Sequence, residues 1–301
     1  MTQAGDTDTL VVDTFRMRLG DIARADLSQL HALSISVGWP HRAEDWKFPL
    51  EVGRGFAALD EIDRVLGSAM WFPHGDDFAT IGMVITSPRL QTNGAAKWLM
   101  RKLIHEKCAD RRLRLNATRA AYRLYRSLGF SRKATVYQCQ GEAHLPPDAP
   151  AVPAGLTLRE LSIADLDAMR ALDAPAFGAA RRRHLELLFE QSVSLGLFRG
   201  RSLRAFSMCR GFGRGHVVGP VVAFDEEEAM AVVYPHVTAH AGTFLRLDTH
   251  FHTGAFASFI QQCGLPVFDT VTTMTLGDDA DYGSGANGEA RMFALASQST
   301  G

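Results

Sequence analysis

The stretch ATIGMVITSPRLQTNGAAKWLM, residues 79–100, decides the fold of this chain. Its first part reads as a β-strand that ends at Pro88, and its second part opens an amphipathic helix with Trp98 and Leu99 on the apolar face. Small residues in the connecting loop let the backbone approach a ligand closely. The first amides of a helix have no internal partners, and the helix dipole adds partial positive charge there. This strand–loop–helix setting therefore predicts a cradle for a pyrophosphate.

Outward from this stretch, the first half of the chain shows the order β-α-α-β-β-β-α-β-α-β, if residues 36–48 add a second short helix. A similar order returns in the second half. We therefore expect a mixed α/β fold, with a largely antiparallel sheet flanked by helices, present twice in tandem. The expected units are a first domain at 1–142, a Pro-rich linker at 143–155, a second domain at 156–278 and a partly flexible tail at 279–301.

Composition and charge exclude several classes of partner. The chain has 32 basic and 33 acidic residues and a formal net charge of −1, so no global field attracts nucleic acid or an anionic membrane. No stretch reaches the roughly 18 apolar residues that span a bilayer, and the polar start MTQAGDTDTL is unlike a signal peptide. The four cysteines form no C-x-x-C pair and read as buried, reduced thiols. We expect a cytoplasmic protein with no nucleic-acid or membrane partner, and we leave a homodimer open.

The loop of residues 91–96 resembles the phosphate loop of the GNAT superfamily of N-acetyltransferases. That family carries R/Q-x-x-G-x-G/A after its fourth strand, and Gln91, Gly94 and Ala96 stand at those places. Taken alone, this loop is equally well explained as an ordinary capped helix start. The resemblance implies acetyl-CoA as co-substrate and no metal cofactor. The residues expected to bind acetyl-CoA are Met83, Val84, Ile85, Gln91, Thr92, Asn93, Gly94, Ala95, Ala96, Asn116, Thr118 and Tyr125.

A second element supports the resemblance. The segment LNATRAAYRLYRSLGF resembles the family's next strand and helix, in which a tyrosine precedes Gly-Phe, and Tyr125 stands before Gly129 and Phe130 in this way. The asparagine often found seven residues before that tyrosine is Thr118 here, with Asn116 close by, so the sequence departs from the family pattern at one hydrogen bond to CoA. The alternative is that Tyr125 only packs its helix on the sheet. Together the two motifs cover residues 12–141 and predict an acetyl-CoA fold.

The resemblance implies direct transfer of the acetyl group from the thioester to an amine. The fourth strand would splay from its neighbour at its C-terminal end, and a backbone amide near Val84 would polarise the thioester carbonyl. Tyr125 would protonate the departing thiolate. The segment FATIGMVIT carries no carboxylate to serve as the base. The candidates for that role are His74, Asp76 and Asp77, or a water relay.

The acceptor side of the site is predicted at SVGWPHRAEDWKF, residues 36–48. Trp39, His41, Asp45 and Trp46 suit a cationic or aromatic amine through ring faces and charge pairing. The alternative is a Trp-rich lid that closes the core.

The second half resembles a degenerate copy of the same fold. Its loop–helix start is FDEEEAM, and Asp225 and the three glutamates after it would repel a pyrophosphate. We expect no CoA there, and instead a cap over the substrate cleft or a subunit contact. His236 with His240, and His250 with His252, lack an evident third ligand, so no metal site is predicted.

The function that the sequence predicts is an acetyl-CoA-dependent N-acetyltransferase (an acyltransferase) for an unidentified amine, expected to be a small molecule. The alternatives are a protein or peptide acetyltransferase and a non-catalytic acyl-CoA-binding sensor or scaffold. The missing carboxylate on the fourth strand is the best support for the sensor.

Overall fold

The computed structural model describes residues 8–12, 15–91, 93–277 and 288–301. The strands are β1 Thr9–Val12, β2 Phe15–Asp21, β3 Arg54–Leu59, β4 Val65–His74, β5 Phe78–Thr86, β6 Arg112–Ala117, β7 Ser131–Glu142, β8 Thr157–Glu160, β9 Val193–Arg199, β10 Ser202–Phe212, β11 Gly215–Ala223, β12 Phe244–Thr249, β13 Val267–Leu276 and β14 Arg291–Ala294. The helices are α1 Leu27–Ser36, α2 Lys47–Val52, α3 Ala95–Lys107, α4 Tyr122–Ser127, α5 Leu166–Phe177, α6 Arg182–Glu190, α7 Glu226–Ala239 and α8 Ala255–Gln262. The predicted mixed α/β class and the repeated element order are confirmed.

The strands of both halves form one continuous sheet, in the order β1-β2-β3-β4-β5-β6-β13-β7-β12-β11-β10-β9-β8, with β14 paired to β11. The halves exchange their last long strands. The strand β13, from the second half, pairs with β6, while β7, from the first half, pairs with β12, and β13 and β7 pair with each other. Each half therefore completes its sheet with a strand from the other.

Three large buried clusters surround this sheet, and a small fourth one joins Val136, Val271 and Leu295. One is packed under α3 and α4 in the first half, and one under α7 and α8 in the second half. The third lies on the remaining face and is shared, because it joins α1 and α2 of the first half to α5 and α6 of the second half. The shared cluster and the exchanged strands fix the junction between the halves, where the cavity described below lies.

In each half one strand diverges from the parallel strand beside it. The strand β5, which is the fourth strand of the sequence analysis, diverges from β6, and β11 diverges from β12. Pairing between β5 and β6 stops at Ile81 with Leu115, although β5 continues to Thr86. Pairing between β11 and β12 covers only two residue pairs. The splay predicted at the C-terminal end of the fourth strand is therefore present, and the gap between β5 and β6 opens toward α3.

The end of the chain is folded against this framework. Of the expected tail at 279–301, residues 279–287 lie outside the described residues. The described part resumes at residue 288. It forms β14 from Arg291 to Ala294, which pairs with β11 at Val221–Ala223, and then a turn in which Ala296 and Thr300 are buried. Composition suggested flexibility for this part, but Phe293 and Leu295 are buried in the cores and hold it on the sheet.

Candidate functional site

A β-bulge marks the point where β5 leaves β6. Met83 and Val84 together stand opposite the single residue Ala69 of β4, and Met83 has a φ of 51°. The hydroxyl of Ser68 donates to the carbonyl oxygen of Met83 at 2.7 Å and holds this strained backbone. Since a bulge rotates peptide groups out of the regular ladder, Val84 is presented to the splay. Met83 and Ile85, predicted with Val84 to contact acetyl-CoA, are both buried beside it.

The predicted phosphate loop meets the first turn of α3. Gly94 has a φ of 84°, a left-handed conformation that favours glycine, and α3 begins at Ala95. Its N-cap residue is Gly94, which has no side chain to cap the helix. Gln91, Asn93 and Gly94 are exposed and Ala96 is half-buried, whereas Ala95 is turned into the core and Thr92 lies outside the described residues. The open helix start can therefore receive an anion, as the sequence predicts.

Tyr125 lies on α4, on the same side of the sheet as α3. Its side chain is buried, and its ring packs 6.0 Å from that of Phe130. Burial raises the pKa of the Tyr125 phenol well above its usual value, so the hydroxyl keeps its proton. Thr118 begins the turn into α4, with its carbonyl oxygen accepting from the amides of Ala121 and Tyr122. A protonated tyrosine at this position can act as a proton donor.

One cavity, of about 310 Å³, runs from the splay to the junction of the two halves. Its wall includes Ile81–Val84 of β5, with Asn116, Thr118 and Tyr125 behind them. It continues along the loop after α1, where Trp39, His41 and Asp45 line it. The cavity therefore joins five of the twelve predicted cofactor contacts, none of them in the described part of the loop of residues 91–96, to three of the four predicted acceptor residues.

His41 is a neutral histidine on the cavity wall. Its Nδ1 lies 3.2 Å from the Ser34 hydroxyl, and its ring stands edge-on to those of Trp39 and Phe212. Burial lowers the pKa of His41 to about 4, and Arg246 adds to that shift, while Asp45 opposes it. The imidazole is therefore uncharged at neutral pH.

Asp45 and Trp46 have structural partners. Asp45 accepts from the Arg42 guanidinium at 2.6 Å and from the Gly213 amide at 2.9 Å, so it ties the loop to the second half. Burial alone would raise the pKa of Asp45, but the hydrogen bonds from Arg42 and Gly213 outweigh it and lower that pKa. Trp46 is fully buried, donates to Ser34 Oγ at 2.8 Å and does not line the cavity. Trp46 fits the alternative of a core-closing residue.

The three residues named as base candidates, His74, Asp76 and Asp77, lie outside the cavity wall. His74 is buried among aromatic rings, 4.6 Å from the His184 ring, with Nε2 3.0 Å from the Thr80 hydroxyl. Burial, with His184 and nearby arginines, lowers the pKa of His74 well below its usual value. Asp77 is exposed and pairs with Arg112 at 2.9 Å. Proximity in sequence to β5 suggested both residues, but the shared core covers His74 and the Asp77 side chain points to solvent.

Several cavity residues come from the second half and escaped the sequence reasoning. Asp248 and Arg246, on β12, form an ion pair at 2.8 Å, and Arg210 donates to the carbonyl oxygens of Gly219 and Ala296. Burial lowers the pKa of Arg210 to about 10, so it stays charged at neutral pH. Gln298 reaches the cavity from the end of the chain. Arg210, Arg246 and Asp248 lie on β10 and β12, and the segment after β14 brings Gln298 beside Asp248, so no single spacing motif marks the set.

The equivalent splay in the second half is closed. The strand β14 pairs with the far end of β11, and a methyl group on Gly219 would lie 1.9 Å from the carbonyl oxygen of Leu295. The helix α7 starts with an acidic first turn and is capped by Asp225, whose carboxylate accepts from the Glu228 amide at 2.8 Å. The acidic turn and the inserted strand both disfavour a pyrophosphate-bearing ligand in this half.

Within the described residues, no group of three or more His, Cys, Asp or Glu side chains is arranged to hold a metal ion. No helix in the described part of the chain is long and apolar enough to cross a membrane.

Comparison with known proteins agrees with this geometry. The model of the acetyltransferase (GNAT) family matches residues 24–130, and that of the acetyltransferase (GNAT) domain matches residues 169–284. The two matches follow one another along the chain, so the chain carries two GNAT domains in tandem. The chain belongs to the GNAT acetyltransferases, as a tandem member. Among the curated proteins, no relative matches the sequence.

Solved structures share the fold at low identity. A putative acetyltransferase from Pyrococcus horikoshii is 18% identical with a TM-score of 0.77, and the match covers 99% of this chain and 100% of that one. A GCN5-related N-acetyltransferase from Sphaerobacter thermophilus is 15% identical with a TM-score of 0.61, covering 89% and 96%. A tandem GNAT protein from the clavulanic acid biosynthesis pathway is 14% identical with a TM-score of 0.61, covering 87% and 100%.

Proposed function

We propose that this chain transfers the acetyl group of acetyl-CoA directly to an amine, and that the amine is a small molecule. The observation that carries the proposal is the single cavity that joins the splay beside Tyr125 to the junction of the two halves. Cofactor and acceptor can then meet at the bulge, from opposite sides of the sheet. The cavity is lined by both halves of the chain, which favours a small acceptor over a protein segment.

Acetyl-CoA would bind with its pyrophosphate on the first turn of α3. The left-handed Gly94 and the first backbone amides of α3 would supply the donors, and exposed Gln91 and Asn93 flank them. The pantetheine arm would enter the gap between β5 and β6, beyond the last pair at Ile81. The thioester carbonyl would then lie at the bulge, where the Val84 amide is the proposed donor.

Tyr125 would act as the general acid. Its raised pKa keeps the proton on the hydroxyl until the thiolate leaves, when the oxygen gives it up to the sulfur. His41 would accept a hydrogen bond from the acceptor amine, because it is neutral and lines the cavity, and the proton that the amine loses would pass on to water. His74 and Asp77 are not proposed for this role, because they do not reach the cavity.

The proposal is tested by Tyr125→Phe in an assay for release of the CoA thiol over a panel of amines. The variant keeps the ring and its packing on Phe130, so the fold and the affinity for acetyl-CoA should be retained. We expect kcat to fall by about 10²-fold or more, the usual contribution of a positioned acid. Wild-type binding of acetyl-CoA without turnover of any amine would favour an acyl-CoA sensor instead.

We also propose a cytoplasmic location. The support is that Cys108, Cys139, Cys209 and Cys263 are free and buried, which suits a reducing compartment.

A further inference from the structure

The segment Ala296–Thr300 crosses from the second half to the first along the cavity. Before it, the Leu295 amide donates to the Asp248 carbonyl oxygen at 2.8 Å, which anchors the segment on β12. Farther on, the Gln298 carbonyl oxygen accepts from Asn116 Nδ2 at 2.9 Å, beside the splay. The cavity wall next to the bulge is therefore built from the end of the chain.

Hydrogen bonding fixes the orientation of the Gln298 side chain. Its Nε2 donates to Asp248 Oδ1 and to Gln138 Oε1, both at 3.1 Å. A carboxylate can only accept, so the amide nitrogen, not the amide oxygen, must face Asp248. The Gln138 amide agrees, because its own nitrogen donates to Gln140 at 2.8 Å and leaves its oxygen for Gln298. Both N–H groups of Gln298 are thus engaged, and its Oε1 is directed away from this network.

That oxygen is an acceptor on the cavity wall. Gln298 lines the cavity, and its Oε1 accepts no hydrogen bond from the residues that the structure describes. Rotating the amide would turn Oε1 toward the Asp248 carboxylate, so the network holds the oxygen in place. A half-buried carbonyl oxygen held in this way is best satisfied by a donor that enters the cavity.

We propose that Gln298 determines acceptor specificity, in a role that rests on the proposed function. Its Oε1 accepts a hydrogen bond from a hydroxyl or N–H group carried by the acceptor beside the reacting amine. The site then selects amines that present such a second donor, and it disfavours analogues in which the donor is methylated. Discrimination of this kind is strong wherever a polar protein group is otherwise left without a partner.

Two matched pairs of amines test the proposal. They are 2-aminoethanol with 2-methoxyethylamine, and tyramine with 4-methoxyphenethylamine, which place the hydroxyl near to and far from the amine. Each amine is titrated calorimetrically with and without CoA. In at least one pair the amine with the free hydroxyl should have a Kd about tenfold lower than its methylated partner, which is the contribution expected of one hydrogen bond. In Gln298→Met that preference should disappear. Asp248 keeps its ion pair with Arg246 in this variant, so the buried carboxylate is still compensated.

The control is Gln262→Met, the same chemical change at an exposed residue of α8, outside the cavity wall and outside the Gln298 network. It should keep the wild-type preference.

A second variant, Gln298→Asn, withdraws the oxygen by one methylene and should lose the preference even if Gln298→Met does not fold. The proposal would be overturned by equal affinities within both pairs in the wild type. It would also be overturned by a preference that survives in Gln298→Met or is lost in Gln262→Met. Acetyl-CoA is titrated on the same samples. A wild type that fails to bind it contradicts the proposed function, while the amine titrations still report on Gln298.

Discussion

The backbone at Ser299 packs directly on Gly82, so that a methyl group added at Gly82 would push the segment Ala296–Thr300 away from β5. Gly82 follows the last residue pair of β5 and β6, and an alanine Cβ there would lie 2.4 Å from the carbonyl oxygen of Ser299 and 2.8 Å from its Cα. Ordinary contact needs at least 3.4 Å, so the segment must move by about 1 Å. We expect Gly82→Ala to cost about 1–3 kcal/mol of folding stability, as overpacking usually does.

The effect on activity should fall on the acceptor. A 1 Å displacement of a positioning group can cost about 10²-fold, so kcat/KM for the amine should fall by about that factor. The acetyl-CoA Kd should stay near the wild-type value, because the α3 loop is untouched. The assay is thiol release at saturating acetyl-CoA with the amine varied, together with calorimetry.

The control for Gly82→Ala is Gly141→Ala. A methyl group on Gly141 would lie 2.2 Å from the backbone oxygen of Gly264, away from the cavity wall. It should destabilise the chain to a similar degree and leave kcat/KM for the amine almost unchanged. The reasoning is that Ser299, which lines the cavity, shapes the part of the cavity where the amine binds. It would be refuted if kcat/KM for the amine fell equally in both variants. It would also be refuted if Gly82→Ala weakened only the binding of acetyl-CoA.

Three further predictions follow from the site and its buried histidines. His41→Ala should lower kcat by about 10²-fold at pH 7, measured by thiol release, and unchanged kcat and acceptor KM would remove His41 from the mechanism. Gly94→Val places a β-branched residue at a φ of 84° and should raise the acetyl-CoA Kd about tenfold by calorimetry, whereas an unchanged Kd would move the phosphate site elsewhere. Burial lowers the pKa of His41 to about 4 and, with help from Arg181, that of His184 to about 3, below the value of 6.5 expected in the unfolded chain. Below pH 6.5 the unfolded chain therefore binds more protons than the folded chain. As the pH is lowered from 6.5 to 4, the free energy of unfolding should fall by up to about 1.4 kcal/mol per pH unit for each histidine. In urea titrations, His184→Gln should reduce this dependence of the free energy of unfolding on pH.

Local patterns were enough to predict the fold and the local structure of the segments where acetyl-CoA is proposed to bind. The loop around Gly94 and the helix of Tyr125 are defined by neighbours in sequence, since a helix start and a splayed strand are set by a few adjacent residues. The acidic start of α7 similarly predicted that the second half differs, and β14 adds a reason that the sequence did not reveal.

The acceptor side could not be predicted in the same way. Trp46 and His74 have the chemistry of site residues, but long-range packing buries both of them in the shared core. Asp248 and Gln298 meet Asn116 only because the halves exchange strands and the end of the chain crosses between them. Such contacts depend on topology, and no periodicity or spacing in the sequence encodes them.

The most direct test of the central claim is a calorimetric titration of the chain with acetyl-CoA. One site per chain is expected, because the first half offers an open helix start and a free splay, while β14 and the acidic start of α7 close the second half. Two sites of similar affinity would contradict the assignment of the second half. No binding at all would contradict the assignment of the α3 loop, and with it the proposed function.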